Sequence, residues 1–254
     1  MRRPLLKLVL IWGMISVTVG VSYAPVCFVQ MYANLFTTRF RGWSDFALRI
    51  KPTVPYQENC DRMILFLPLC PSIKEVSLPL FPGRRDRLAR IARSPWIKSL
   101  VLSSVALVDD DLAVLSDMPD LEWISLEGSP EITDAGIAHL AKCTKLRHLG
   151  LRNTSVTGKG LAALANCQEL RTLELDNCPV TDETAVMIPC FKKVARIDLT
   201  GTQITDIGAR HFLEWPSLET FGAFSRISPE LKQEFRQRCI ERRDRAEELQ
   251  KANR

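Results

Sequence analysis

LRHLGLRNTSVTGKGLAALANC, residues 146–167, decides the fold, because the chain repeats it. Upstream stands LEWISLEGSPEITDAGIAHLAKC (121–143). Downstream follow LRTLELDNCPVTDETAVMIPC (170–190), VARIDLTGTQITDIGARHFLEW (194–215) and the start of another copy, LETFGA (218–223). Leu121, Leu146, Leu170, Val194 and Leu218 each open the form apolar-x-x-apolar-x-apolar, at intervals of 25, 24, 24 and 24 residues. The same interval, counted backwards, reaches Ile97 in IKSLVL and Ile73 in IKEVSL.

The alternation in each opening puts Leu149 and Leu151 on one face of a short strand and His148, Gly150 and Arg152 on the other. The chain then returns through a helical half such as GIAHLAKC or GLAALANC, whose apolar side packs on the strand's inner face. A lone unit leaves its edges bare, so units must stack to bury a continuous core. A period within ~20–29 residues headed by L-x-x-L-x-L is that of a leucine-rich repeat. The expected fold is α/β: a curved leucine-rich-repeat solenoid with a parallel sheet on its concave face and helices on its convex face.

Ile132-Thr133-Asp134, Val180-Thr181-Asp182 and Ile204-Thr205-Asp206, with Cys143 and Cys167 three residues before the next anchor, carry a closer likeness. They resemble the cysteine-containing leucine-rich repeats of F-box substrate receptors and of many bacterial proteins. The resemblance covers roughly the C-terminal two-thirds of the chain and implies a solenoid with a binding role. No F-box-like helical segment lies upstream, so ubiquitin-ligase function is not carried over; a bacterial-type membrane-anchored repeat protein is the implied form. Gly158 stands where the pattern has Asp, and Phe191 and Trp215 stand where it has Cys. The usual Asn/Cys turn position holds Val105, Ser129, Thr154, Cys178 and Thr202.

The N-terminus differs in kind. After Arg2, Arg3 and Lys7, the run Leu8 to Val29 carries no charged residue. At ~1.5 Å per residue it is long enough to cross a bilayer core of ~30 Å, so residues 1–30 are expected to be a transmembrane helix preceding the solenoid, or a signal segment. Pro25 directly after Ser22-Tyr23-Ala24 disfavours cleavage there, which favours a retained single-pass anchor. The charges abutting the span place the N-terminus inside and the repeats outside the cytoplasm.

Residues 31–72 read as linker and N-terminal cap, with Tyr56 to Cys70 as the capping segment. Cys60 and Cys70 are either a disulfide staple or two thiols in that cap. Residues 73–227 are the repeats. Within them PGRRDRLARIARSP forms a helix with Leu88 and Ile91 inward and Arg84, Arg85, Arg87, Arg90 and Arg93 on the remaining sides; that basic side either attracts anionic headgroups or an acidic partner, or is simply solvated. Residues 228–254 are a capping helix and charged tail. Ser228-Pro229-Glu230 marks the helix start, and Leu231, Phe235 and Ile240 are expected to cover the last repeat.

The sequence offers little for catalysis. His148 lies on the concave face beside Thr172, with Glu174 and Asp176 within reach, so a His-carboxylate pair is geometrically allowed. No G-x-S-x-G, phosphate-cradling glycine loop or H-E-x-x-H accompanies it. Cys143 and Cys167 read as buried thiols rather than a zinc pair. Asp109 reads as the turn residue equivalent to Asp134, Asp182 and Asp206, starting the helical half. No enzyme activity, cofactor, metal or small-molecule substrate is expected. The formal charge of +5 resides around the basic helix and tail while the concave face carries acids, which disfavours nucleic acid.

Recognition of a protein partner remains. The outward strand positions form three stripes: Ser99, Trp123, His148, Thr172, Arg196 and Thr220; then Val101, Ser125, Gly150, Glu174, Asp198 and Gly222; then Ser103, Glu127, Arg152, Asp176, Thr200 and Phe224. Trp123, His148, Arg152, Glu174, Asp176, Arg196 and Asp198 are the candidate partner-binding residues, because tryptophan and arginine are common interface anchors. The alternative for the face is a solvated sheet with its charges paired across strands. For the whole chain the first reading is a non-catalytic, membrane-anchored interaction module. The second is an exported or soluble structural adaptor in a larger complex, with a substrate receptor or hydrolase behind both. On carbonate washing of cell membranes, the full-length chain is expected to stay in the pellet; a shortened chain in the supernatant would support the adaptor.

Overall fold

The computed structural model of the protein describes residues 37–40, 46–49, 64, 67, 73–77, 84–102, 107–189, 191–222 and 226–252. Among these, nine strands form one sheet in chain order: β1 (Thr37–Phe40), β2 (Phe46–Arg49), β3 (Ile73–Ser77), β4 (Ser99–Val101), β5 (Trp123–Ser125), β6 (His148–Gly150), β7 (Thr172–Glu174), β8 (Arg196–Asp198) and β9 (Thr220–Gly222). From β2 onward every neighbouring pair is parallel, and β1 runs antiparallel to β2. The first two stripes are the observed register, with Trp123 paired to His148, His148 to Thr172, and Gly150 to Glu174. β1 and β2 fall in the stretch read as linker and cap, and they carry the sheet past the first repeat strand, covering what would be an open edge.

The inward residues build the core. Leu100, Ile124, Leu149, Leu173 and Ile197 are fully buried, as are Leu102, Leu126, Leu151 and Leu175 in the next inward column. The repeat strands from β4 to β9 have only three residues each, yet backbone rungs continue beyond them. Leu126, Leu151 and Leu175 N–H donate to the Gly150, Glu174 and Asp198 carbonyls at 2.8 Å, and Asn153 N–H donates to Asp176 O at 2.9 Å. The turn after the strand needs a left-handed residue in every described copy: Gly128 (φ 73°), Asn153 (54°), Asn177 (55°) and Gly201 (76°). Only glycine and asparagine fill it, in keeping with the cost of that region for other side chains. Asn177 Nδ2 also donates to Asn153 Oδ1 at 2.9 Å. One residue on, Thr154 and Thr202 hydroxyls each donate to the carbonyl three residues back at 2.7 Å, and the Cys178 thiol donates to Leu151 O at 3.0 Å. Thr thus serves, as Cys178 does, a turn position where the pattern uses Asn or Cys.

The helical halves are short: α1 (Arg84–Ala92), a 3-10 helix (Asp109–Asp117), α2 (Asp134–Ala138), α3 (Gly158–Leu161), α4 (Asp182–Ala185) and α5 (Asp206–Leu213). Between them runs a second inter-repeat ladder. Asp109 accepts the Thr133 N–H (2.8 Å) and hydroxyl (2.5 Å), Asp134 accepts the same pair from Thr157 (2.7 and 2.6 Å), and Asp182 the same pair from Thr205 (2.8 and 2.6 Å). Each threonine hydroxyl in turn caps its own helix, accepting from Ala135, Lys159 or Ile207 N–H. The aspartate therefore reaches forward to the next unit's cap rather than starting only its own helix.

The ladder skips one junction, and the skip explains Gly158. The carboxylates of Asp109, Asp134 and Asp182 each lie where a side chain on Gly136, Gly160 or Gly208 would stand. In the unit after Gly158 the position equivalent to those glycines is Thr184. A Cβ on Gly158 would overlap the Thr184 carbonyl. Thr184 instead closes its own cap, accepting the Thr181 N–H at 2.9 Å while its N–H donates to Thr181 Oγ1 at 3.4 Å. Aspartate with glycine, or glycine with threonine, are the two ways to fill this junction.

The thiols of Cys143 and Cys167 are fully buried and donate to carbonyls: Cys143 to Leu115 O at 3.5 Å, and Cys167 to Cys143 O at 3.5 Å. Burial pushes them up to about 12 and about 11, so they remain protonated and apolar in behaviour. Phe191 and Trp215, their replacements, are equally buried and meet edge to face at 5.9 Å.

At the C-terminal end, α6 (Pro229–Ala252) begins at Ser228, whose hydroxyl accepts the Leu231 N–H. Leu231 and Phe235 are buried as expected, with Phe235 stacked on Phe221 at 3.8 Å. Ile240 is not part of this cover. It is 43% exposed, and Cys239, one helical turn beyond Phe235, is buried in its place. Arg242 reaches back to donate to Leu213 O and Leu218 O. In α1, Leu88 and Ile91 are buried as the pattern required, but Arg87 is buried beside them instead of lying on the solvated side.

The run Leu8 to Val29 lies outside the described residues, as do Cys60 and Cys70. Ile64 and Leu67, from the capping segment, are buried in the core. Among the described residues no helix is long and apolar enough to cross a membrane.

Restoring the pattern's aspartate, Gly158→Asp, is expected to destabilise the domain by about 1–3 kcal/mol, the usual range for overpacking, with Thr184→Gly in the same chain recovering most of the loss. Urea unfolding of both variants checks this; a stabilising single variant would refute the junction geometry.

Candidate protein-binding face

The period aims alternate side chains out of the sheet, and at β5 to β8 these are mostly polar or aromatic. Trp123 remains 45% exposed. Its ring stacks on His148 with centroids 3.5 Å apart and planes 9° from parallel, leaving His148 only 6% exposed. The outward register puts His148 on the concave face, where either a partner or solvent was expected to meet it. The neighbouring indole covers it, because adjacent strands are ~4.8 Å apart and flat rings can lean together across that gap.

His148 Nε2 lies 3.9 Å from Glu174 Oε2. That is beyond hydrogen-bond reach, so no His-carboxylate dyad forms. Burial, and then the nearby Arg196 guanidinium, hold the ring down to about 4. The imidazole is neutral at pH 7 and its approach to Glu174 is not an ion pair. Its Nδ1 is buried without a hydrogen-bond partner.

Around this stack sit four carboxylates and two guanidiniums. Burial raises Glu174 above the usual carboxylate range, reinforced by repulsion from Glu127, Asp176 and Asp198, while Arg196 pulls the other way. Burial and Asp198 likewise raise Asp176, with Arg152 opposing. Asp198 accepts the Thr200 N–H at 3.0 Å and hydroxyl at 2.6 Å, and Glu127 accepts from the Ser125 hydroxyl at 3.3 Å. Among the described residues, Arg152, Arg196, Glu127, Asp176 and Asp198 make no ion pair. The charges where the strands begin behave differently: Glu122 bridges Lys98 (2.5 Å) and Arg147 (3.5 Å), Asp120 meets Lys145 (2.6 Å), and Glu169 meets Lys193 (2.5 Å).

The structure thus gathers Trp123, His148 and Glu174, with Arg196 and Asp198 on the next strand and Arg152 and Asp176 on the turns after β6 and β7. The sequence stripes already contained Ser125, Glu127 and Gly150. Their membership of the same cluster becomes evident only with side-chain directions, because Glu127 turns towards Gly150 from beyond the strand end.

A family model described as Leucine Rich repeat matches residues 142–165. Among solved structures, an internalin (inlF) from Listeria monocytogenes is 21% identical with a TM-score of 0.51, over 62% of this chain and 43% of that one. Internalin C2 from the same organism is 25% identical with a TM-score of 0.49, over 60% of this chain and 62% of that one. The chain therefore spans less than two-thirds of either. No curated protein matches it. Register, ladders, the repeat match and the likeness to the inlF internalin together define the fold as a leucine-rich-repeat solenoid.

His148, lowered in the folded state, contributes stability that is complete above the ordinary 6.5 and is lost as pH falls towards about 4, because the unfolded ring takes its proton first. An NMR titration is expected to show the His148 ring protonating near that lower value. A midpoint near 6.5 would show that Trp123 does not bury it.

Proposed function

We propose that this chain is a non-catalytic protein-interaction module, held at a membrane by its N-terminal segment, that takes a protein partner on the concave face around Trp123. One observation carries the reading: the arginines on this face are left unpaired around an exposed indole, while Lys98, Arg147, Lys145 and Lys193 where the strands begin are paired. Arg152 and Arg196 stand exposed on this face with no ion pair among the described residues, so both are available to a partner. A large exposed aromatic flanked by exposed arginines is the composition of an interface anchor.

The membrane part of the proposal rests on the uncharged run Leu8 to Val29, and the extracytoplasmic placement of the repeats rests on the basic residues before it. Fold likeness to the inlF internalin supports the solenoid, and a solenoid's concave sheet is a ready binding surface. It does not carry over their partners.

In pull-downs from native lysate, Trp123→Ala and Arg152→Glu are each expected to lower partner recovery by about tenfold or more, the size of an interface hot spot, with circular dichroism unchanged. Lys193→Glu, which breaks only an exposed pair worth ~0–1 kcal/mol, is expected to retain it. Equal recovery by all three variants would remove the concave face from the account.

A further inference from the structure

Successive repeats are joined through the sheet and again through the loops and helices behind it, and at one junction the second joint is missing. Behind the sheet a carboxylate clamps the next unit at Asp109 to Thr133, Asp134 to Thr157 and Asp182 to Thr205, and Asp206 accepts the Ser228 N–H at 2.8 Å. Between the repeat opened by Leu146 and the one opened by Leu170, Gly158 has no carboxylate to offer. The Thr181 N–H turns instead to Thr184 Oγ1 of its own unit. A second bond is lost at the same place. Ser155 N–H donates to Ile132 O, and Gln203 N–H to Val180 O, each at 2.9 Å, tying one loop to the loop before it. The residue between them in register is Pro179, which has no N–H to give to Val156 O.

Side-chain ties follow the same division. Across the junction before, the Ser155 hydroxyl donates to Pro130 O at 2.6 Å; across the junction after, Gly208 N–H donates to Asp182 at 3.0 Å and His211 Nε2 lies 3.1 Å from Ile188 O. Among the described residues no hydrogen bond joins residues 155–168 to residues 179–189, and Gly158 meets the Thr184 carbonyl by packing alone. The exposed Lys193–Glu169 pair further along adds little. The sheet at this junction is complete. β6 and β7 are paired, Leu151 and Asn153 N–H donate to Glu174 O and Asp176 O at 2.8 and 2.9 Å, Asn177 Nδ2 donates to Asn153 Oδ1 at 2.9 Å, and the Cys178 thiol donates to Leu151 O at 3.0 Å. One side fully bonded and the other only packed is the construction of a hinge whose axis lies in the sheet. Units of a solenoid touch only their neighbours, so nothing elsewhere reinforces the looser joint.

We infer that the junction between β6 and β7 is a hinge at which the solenoid changes its curvature, the helical side opening and closing about the sheet. The hinge stands on its own bonds, whereas its use rests on the concave-face reading above. Trp123, His148 and Arg152 ride on one side of it and Glu174, Asp176, Arg196 and Asp198 on the other. Bending therefore sets how far apart the two halves of the face stand, and a partner that bridges them selects one curvature.

The test uses the full chain in detergent micelles, with nitroxides attached through a ketone-bearing amino acid that spares the native cysteines. Asp110, Ala135, Lys159 and Glu183 hold equivalent, exposed positions behind the sheet. Labels at 110 and 159 span two clamped junctions; labels at 135 and 183 span one clamped junction and the unclamped one. Pulsed dipolar spectroscopy is expected to give the broader distance distribution for the second pair. Gly158→Asp with Thr184→Gly in the same chain, which supplies the carboxylate and the space for it, is expected to narrow that distribution to the width of the first. Pro179→Gln, which supplies only the N–H, is expected to narrow it in part. Equal widths in the otherwise unaltered chain overturn the hinge, whether or not the variants fold. A double variant with native circular dichroism and an unnarrowed distribution overturns it too. No label touches the concave face, so the two ideas fail separately: a broad second distribution with partner recovery unchanged by Trp123→Ala keeps the hinge and removes its use, and equal widths with recovery abolished remove the hinge and keep the face.

Discussion

A strand of three residues followed by a turn or two of helix leaves backbone groups and apolar surface open on both edges, so each unit depends on its neighbours to satisfy it. In this chain the dependence is met three times over. Leucine columns fill the interior, carbonyl-to-amide rungs run through and beyond the strands, and aspartates reach forward to cap the next unit's helix. The ends need other solutions: β1 and β2 extend the sheet at one end, and α6 lays Leu231, Phe235 and Cys239 over the other.

Stacking also creates the candidate site. No single repeat contains the cluster; Trp123, His148 and Glu174 belong to three successive units and meet because register is held without a slip from β3 to β9. The parallel sheet turns a 24-residue interval in sequence into a ~4.8 Å step in space. The same rigidity that seals the leucine columns fixes the indole against the imidazole.

Much of this was legible from residues alone, and the reason is periodicity. An interval that holds from Ile73 to Leu218 fixes strands, inward columns and outward stripes together, because a one-residue slip would expose every leucine. What periodicity does not encode is how side chains lean. His148 occupies an outward position yet is buried, since Trp123 folds over it. Arg87 and Cys239 are buried where spacing favoured solvent for one and Ile240 over the other, because local helix orientation against the end repeats decides those contacts. The pairing of Gly158 with Thr184 was present as a readable pattern, Thr-Asp-x-Gly in two units and altered in the two between. Its meaning lies in a contact between consecutive repeats.

The central claim is that partner contact occurs on the concave sheet and not on the helical side. It is tested most directly by placing a photo-reactive amino acid at position 172, beside His148 in the sheet, or at position 207, where Ile207 is 77% exposed on α5, and irradiating cells that express each full-length chain. The account predicts a discrete cross-linked adduct from position 172 that disappears with Trp123→Ala, and none from position 207. An adduct from position 207 alone would place the binding surface on the helices and contradict it.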